Sequence, residues 1–285
     1  MTIEEAKSET VAEPAPAKLE PAAAEQGPKP KAGAAAGGSA PAKESWWETA
    51  KTIGVALLIA LVVRSFLFQP FNIPSGSMED TLLIGDFLFV EKFAYGYSKH
   101  SLPFSLPIIP GRVFFTEPKR GDVIVFKTPR DNRTDFIKRL IGLPGDRIEM
   151  RSGVLYINDE PVQRRVLGEV TSTDPRTGMA GTAMKYEETL PGGLRHAILE
   201  FSDDRQLDNT GIFVVPAGHY FMMGDNRDNS SDSRVPVEEG GVGYVPAVNL
   251  VGKAELRFFS IKIPHEFWEL WRWHVRLARL FTPIH

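Results

Sequence analysis

Residues 71 to 86 read FNIPSGSMEDTLLIGD, and within them two hydroxyls, Ser75 and Ser77, flank Gly76. A serine attacks a carbonyl only when a base removes its proton. The chain has no cysteine, which excludes a thiol nucleophile, a disulfide scaffold and cysteine-bound metal. Its six histidines are scattered without HExxH or similar spacing, so no metal is expected. No His–Asp pair sits in a recognisable motif and GxSxG is absent. The other available base is a lysine kept neutral by burial, because desolvation disfavours the ammonium form.

TDFIKRLIGLPGD, residues 134 to 146, offers that lysine. In a strand Lys138 shares a face with Phe136 and Leu140 and points into apolar surroundings. The same pattern also describes a surface lysine whose stem snorkels. Lys127 is the rival, but it precedes Pro129 at the end of a strand-like run, where solvent is expected. GDNRDNSSDSR, residues 224 to 234, has no apolar side chain. It reads either as an Asx-rich surface loop or as a hydrogen-bonded scaffold. In the second reading Ser230 accepts from the lysine without adding a charge, and Asp232 with Arg234 braces the loop as a pair.

These residues must be carried by short strands. GDFLFVEKFAY, GDVIVFKTP and GIFVVPAGHYFMMGDN are β-like runs bounded by Gly, Asp and Pro. GDRIEMRSGVLYINDEPV reads as a hairpin with Ser152-Gly153 as its turn. The expected fold is mostly β: a coiled antiparallel sheet over residues 70–264, with a β-rich insertion at about 150–220 whose polar middle, 165–210, runs over the surface. Residues 1–45 are Ala-, Pro-, Glu- and Lys-rich and free of aromatics over the first 42, which predicts a disordered tail.

Residues 46–69 predict a transmembrane helix. The rise from Trp46 to Phe68 is about 34 Å, against a hydrocarbon core of about 30 Å. Trp46 and Trp47 mark one interface, and Arg64 snorkels towards the other. A buried core helix is the alternative. Lys43 and Lys51 precede the span, and after Arg64 no Lys or Arg occurs until Lys92, so the tail is expected in the cytoplasm. Residues 265–285, HEFWELWRWHVRLARLFTPIH, predict an amphipathic helix with Arg272, Arg276 and Arg279 on one face. It either lies on an anionic membrane or packs on the sheet. The formal net charge is -3, and nothing suggests a nucleic-acid partner.

Four blocks in order, IPSGSM with TLLIGDFLFVEKFAYG, RGDVIVFK, DFIKRLIGLPGD and GDNRDNSSDSR, resemble the bacterial type I signal peptidases, the membrane-bound Ser–Lys leader peptidases. The resemblance implies Ser77 as nucleophile and Lys138 as general base, with Ser75 and the Ser77 N–H as the oxyanion hole. It implies Ser230 as the residue orienting the lysine, Asp232 and Arg234 as supports, and Arg139 as the arginine beside the base. Phe71, Ile73, Pro74, Met78, Leu82, Leu88, Val125, Asp135, Phe136 and Ile137 match the walls of two shallow pockets for small side chains, the Ala-x-Ala rule.

A single-pass protein of the bacterial inner membrane is implied, with a periplasmic catalytic domain. It would act on preprotein signal peptides beside the lipid bilayer and the secretion translocon, with no cofactor. A Ser–Lys autoprotease domain and a non-catalytic membrane-anchored binding module stay open as alternatives. The chain departs from the family at Asp80, where relatives often carry Pro, and at VPVEEGGVGYVP, which replaces an aromatic-glycine step.

Overall fold

The computed structural model describes residues 46–174, 177–262 and 274–284. Helix α1 spans Trp46–Phe66 and is the one helix among the described residues long and apolar enough to cross a membrane. Its aliphatic side chains point outward, Leu57 and Leu58 being 65% and 60% exposed. The helix ends before the expected boundary: Phe68–Asn72 is already strand β1. Pro70 has no N–H to extend a helix, and the pairing of β1 with the next strand takes up the backbone groups that remain.

The next strands longer than two residues, in chain order, are β2 (Asp86–Glu91), β3 (Val123–Lys127), β4 (Asp135–Gly142), β5 (Arg147–Arg151) and β6 (Val154–Ile157). Then come β7 (Gln163–Thr173), β8 (Ala180–Thr189), β9 (Arg195–Glu200), β10 (His219–Met223) and β11 (Leu250–Lys262). The main sheet runs β1-β2-β11-β3-β4-β10 and on to the two-residue strand Val245–Pro246, and its ladders are antiparallel. β11 carries register shifts at Leu250/Gly252, Ala254/Leu256 and Arg257/Phe259. Each shift adds local twist, which curls the sheet. Ile73, Met78, Leu82, Leu88, Val90 and Val125 fill one core; Ile124, Phe126, Leu140 and Met222 belong to another.

The expected hairpin is β5–β6, and both Ser152 (φ 48) and Gly153 (φ 72) take the positive φ that such a tight turn requires. The stretch 165–210 is more regular than its polar composition implies. β7, β8 and β9 form a separate three-stranded antiparallel sheet. Alternating half-burial along β7 explains why its apolar content is low.

The chain's end departs from expectation. Of residues 265–285, the part up to residue 273 and residue 285 lie outside the described residues. The described remainder, residues 274–284, forms no α-helix: His274–Val275 pairs with Ile261–Lys262, Leu277–Arg279 is a single 3-10 turn, and Thr282–Pro283 pairs with Leu256–Arg257. The amphipathic spacing loses to two stronger demands. The outer half of β11 has a free edge whose backbone groups need partners. Buried Asp86 also draws Arg279 to 2.5 Å and Arg257 to 3.6 Å.

Candidate active site

Ser77 lies in a short 3-10 turn, Gly76–Met78, that follows β1. Met78 and Leu82 are fully buried and moor this turn in the core, and the Leu82 N–H donates to the Met78 carbonyl at 2.7 Å. Lys138 is the fourth residue of β4 and only 4% exposed. Its Nζ reaches Ser77 Oγ at 2.6 Å and the Ile137 carbonyl at 3.2 Å, and lies 5.5 Å from the Phe136 ring centre. Ser75 Oγ is 3.5 Å from Ser77 Oγ. Burial pushes the lysine down to about 8; Asp232 and Asp225 oppose that shift, and Arg234 adds to it. At that value a useful fraction of the amine is neutral near pH 7, and a neutral amine accepts the Ser77 proton.

GDNRDNSSDSR is not a surface loop. Asp225, Asn226, Arg227, Ser230, Asp232, Ser233 and Arg234 are all buried. Its charges cancel in place. Arg234 clasps Asp232 through Nε and Nη2, both at 2.9 Å, and also donates to the Arg227 carbonyl at 2.6 Å. Arg139, next to the lysine, clasps Asp225 with two bonds of 2.8 Å. Burial alone would raise the Asp225 carboxyl, but Arg139 holds it far below the carboxylate range. The loop is tied to the serine directly, since the Asn226 N–H donates to the Ser77 carbonyl at 3.2 Å. Gly224 permits this approach: a Cβ there would lie 2.3 Å from Ser230 Oγ and 2.5 Å from the Ser77 carbonyl oxygen.

A groove of ≈ 260 Å³ lies between the end of β1 and the start of β4, beside the turn and the strand that carry Ser77 and Lys138. Phe71, Ile73, Pro74, Val125, Asp135, Phe136 and Ile137 line it, as expected, together with Asn72. Met78, Leu82 and Leu88 do not line it; they are fully buried and back its wall in the core. Among the described residues β1 pairs only with β2, and the β4 stretch 135–137 only with β3, because β10 joins β4 from Arg139 onward. Two free strand edges therefore border the groove, the arrangement that admits an extended peptide as an added strand.

Residues 46–259 match the family model described as signal peptidase, peptidase S26. The chain belongs to this signal peptidase family. It is 40% identical over 265 residues to a signal peptidase I of Rickettsia akari (strain Hartford), covering 86% of this chain and 94% of that one. It is 41% identical over 251 residues to a signal peptidase I of Rickettsia typhi (strain ATCC VR-144 / Wilmington), covering 80% and 90%. A crystal structure of a signal peptidase I from Enterococcus faecalis V583 aligns at 28% identity with a TM-score of 0.27, over 48% of this chain and 97% of that one.

In this signal peptidase chain Ser75, Ser77, Lys138, Arg139, Asp232 and Arg234 converge as the motifs suggest. Ser230 is beside them and buried, yet its hydroxyl makes no hydrogen bond to the lysine or to any described residue. Lys127 is the fixed cation of an ion pair with Asp135 at 2.8 Å, and Ser77 is not among its partners.

Sequence reasoning missed the charges behind the loop. Arg227 pairs with Glu188 of β8, and His196 of β9 lies 3.4 Å from both Glu188 and Asp225. It also missed Glu79, which accepts from Ser172 of β7 at 2.7 Å. Asp225 and Arg227 were inside a motif already quoted. Glu188, His196 and Ser172 had no local signal, because their partners lie far off in sequence.

Proposed function

We propose that this chain is a membrane-anchored serine endopeptidase that removes signal peptides from exported preproteins after an Ala-x-Ala-like motif. The observation that carries the reading is the 2.6 Å approach of Lys138 Nζ to Ser77 Oγ inside a water-poor site. An extended substrate enters the groove between β1 and β4, and its small side chains face Phe71, Ile73, Val125 and Ile137. Ser77 Oγ attacks the carbonyl carbon while its proton passes to neutral Lys138. The oxyanion is met by the Ser75 hydroxyl and the Ser77 N–H. The lysine ammonium protonates the departing amine, the C–N bond breaks, and an acyl ester remains on Ser77. Water then gives its proton to Lys138 and attacks the ester, releasing the signal peptide's new carboxyl end and restoring Ser77. Ser230, whose buried hydroxyl has no other partner, offers an acceptor to the ammonium formed on the way.

α1 anchors the enzyme in the bacterial inner membrane, with the tail cytoplasmic, as Lys43 and Lys51 support, and the β domain periplasmic. The working arrangement is a tail (1–45), a span that ends at Phe66, and a catalytic domain from Phe68 whose sheet the end segment extends through His274–Val275 and Thr282–Pro283, with lipid and the translocon as neighbours.

The test is cleavage of a preprotein carrying Ala-x-Ala before the cut. Ser77→Ala and Lys138→Ala should each abolish it, and an acylating penem should label wild-type Ser77. Cleavage surviving in either variant would reject the assignment. Labelling of Ser77 also separates an enzyme from a binding module, and self-cleavage of the purified chain would favour an autoprotease.

A further inference from the structure

A second cavity, of ≈ 490 Å³, lies where α1 meets the β domain. Arg64, Lys92, Ser101, Ser105, Lys127 and Asp135 line it, with Leu61 and Ser65 of α1 as one wall. We propose that this cavity holds the phosphodiester headgroup of an anionic membrane phospholipid.

The charge balance of the cavity calls for an anion. Lys92 is 3% exposed, and its Nζ donates only to neutral acceptors, the Ser101 carbonyl at 2.7 Å and Gln69 Oε1 at 3.0 Å. No carboxylate lies within ion-pair distance of Lys92 or Arg64 among the described residues. Asp135 is the single carboxylate on the wall, and Lys127 already holds it at 2.8 Å. Burial, then Arg64, pushes Lys92 down to about 8 while Asp135 opposes the shift, so most of this amine stays protonated at pH 7. His100 is pushed to about 4, chiefly by burial, so it is neutral there. A buried ammonium with no counter-ion is costly, and an entering anion relieves that cost.

Position selects the source of the phosphate. Arg64 stands in the last turn of α1, where the helix leaves the hydrocarbon and the phosphate layer begins. The segment that supplies Ser101 and Ser105 continues into an apolar stretch on the surface: Leu106 is 44%, Ile108 71% and Phe114 84% exposed. Beside them the Tyr97 hydroxyl donates to the Phe66 carbonyl at 2.9 Å, an aromatic at the interface level. A headgroup in the cavity leaves its acyl chains against the outward aliphatics of α1. This rests on α1 crossing a bilayer and not on the peptidase chemistry.

The test uses the full chain in nanodiscs of equal phosphatidylglycerol and phosphatidylcholine. The lipids retained after mild detergent extraction are counted by native mass spectrometry. Wild type should keep phosphatidylglycerol preferentially, and each cation removed should cut the preference roughly fivefold. Arg64→Gln is exposed enough to fold normally, and hydrolysis of a soluble peptide by that variant should be unchanged. Lys92→Met removes the buried cation. Equal retention of the two lipids by wild type, or an undiminished preference in Arg64→Gln, overturns the proposal. Displacement of the retained lipid by inorganic phosphate overturns it in favour of a free-phosphate site. Failure of the chain to enter nanodiscs overturns both this site and the membrane span.

Discussion

Asp225 receives both arms of Arg139 at 2.8 Å, and neither side chain touches solvent. The pair ties the loop 224–234 to the residue next to Lys138, so that a polar loop and a core strand hold one geometry. Asp225→Asn leaves the guanidinium buried against a neutral amide. The loss should be about 3–5 kcal/mol, the cost of breaking a buried pair from one side. Denaturant unfolding of the purified β domain in detergent measures it, and a loss below about 1 kcal/mol would mean that water reaches Arg139.

Lys138 is held down to about 8 by burial. If its neutral form is the base, kcat/KM for a peptide substrate rises tenfold per pH unit below about 8 and levels off above it. A flat profile from pH 6 to 9 would contradict the lysine base. The same depression affects stability. Between about 8 and the ordinary lysine value of 10.5 the unfolded chain holds a proton that the folded chain has lost, so stability rises with pH across that window. Lys138→Met should remove this slope.

Gly224 faces Ser230 Oγ and the Ser77 carbonyl at distances that leave no room for a methyl group. Gly224→Ala therefore displaces the serine turn or the loop. Activity should fall on the order of 100-fold, as ångström misplacements do, while far-ultraviolet circular dichroism stays unchanged. Full activity in this variant would show that the loop does not position Ser77.

Ser75 Oγ lies 3.5 Å from Ser77 Oγ, whereas Lys138 Nζ donates to Ser77 Oγ and to the Ile137 carbonyl. Ser75→Ala should lower kcat by about 10²–10³, the effect of losing one oxyanion donor, without moving the pH midpoint. A shifted midpoint with kcat preserved would place Ser75 in the proton path instead.

Much of this site was legible because local chemistry is local in sequence. Two hydroxyls around Gly76, a lysine between Phe136 and Leu140, and an all-polar run after HYFMM each stand out as short strings. The hairpin at Ser152-Gly153 and the apolar span were legible for the same reason: turn chemistry and hydrophobic length are properties of consecutive residues. Within the end segment, residues 274–284 were misread from their spacing, because their fate depends on an unpaired edge of β11 and on buried Asp86, neither visible within residues 265–285.

The sequence by itself determined which groups are available: one serine motif, one lysine in apolar company, and no thiol to compete. Only the tertiary structure decided that Ser77 and Lys138 meet, that the polar run is buried, and that Lys127 is spent on Asp135. It also decided that Met78, Leu82 and Leu88 support the groove without lining it. The physical reason is that burial, and with it the basicity of an amine, is set by what packs around a side chain from distant strands. Residue type and spacing limit that environment but do not assemble it.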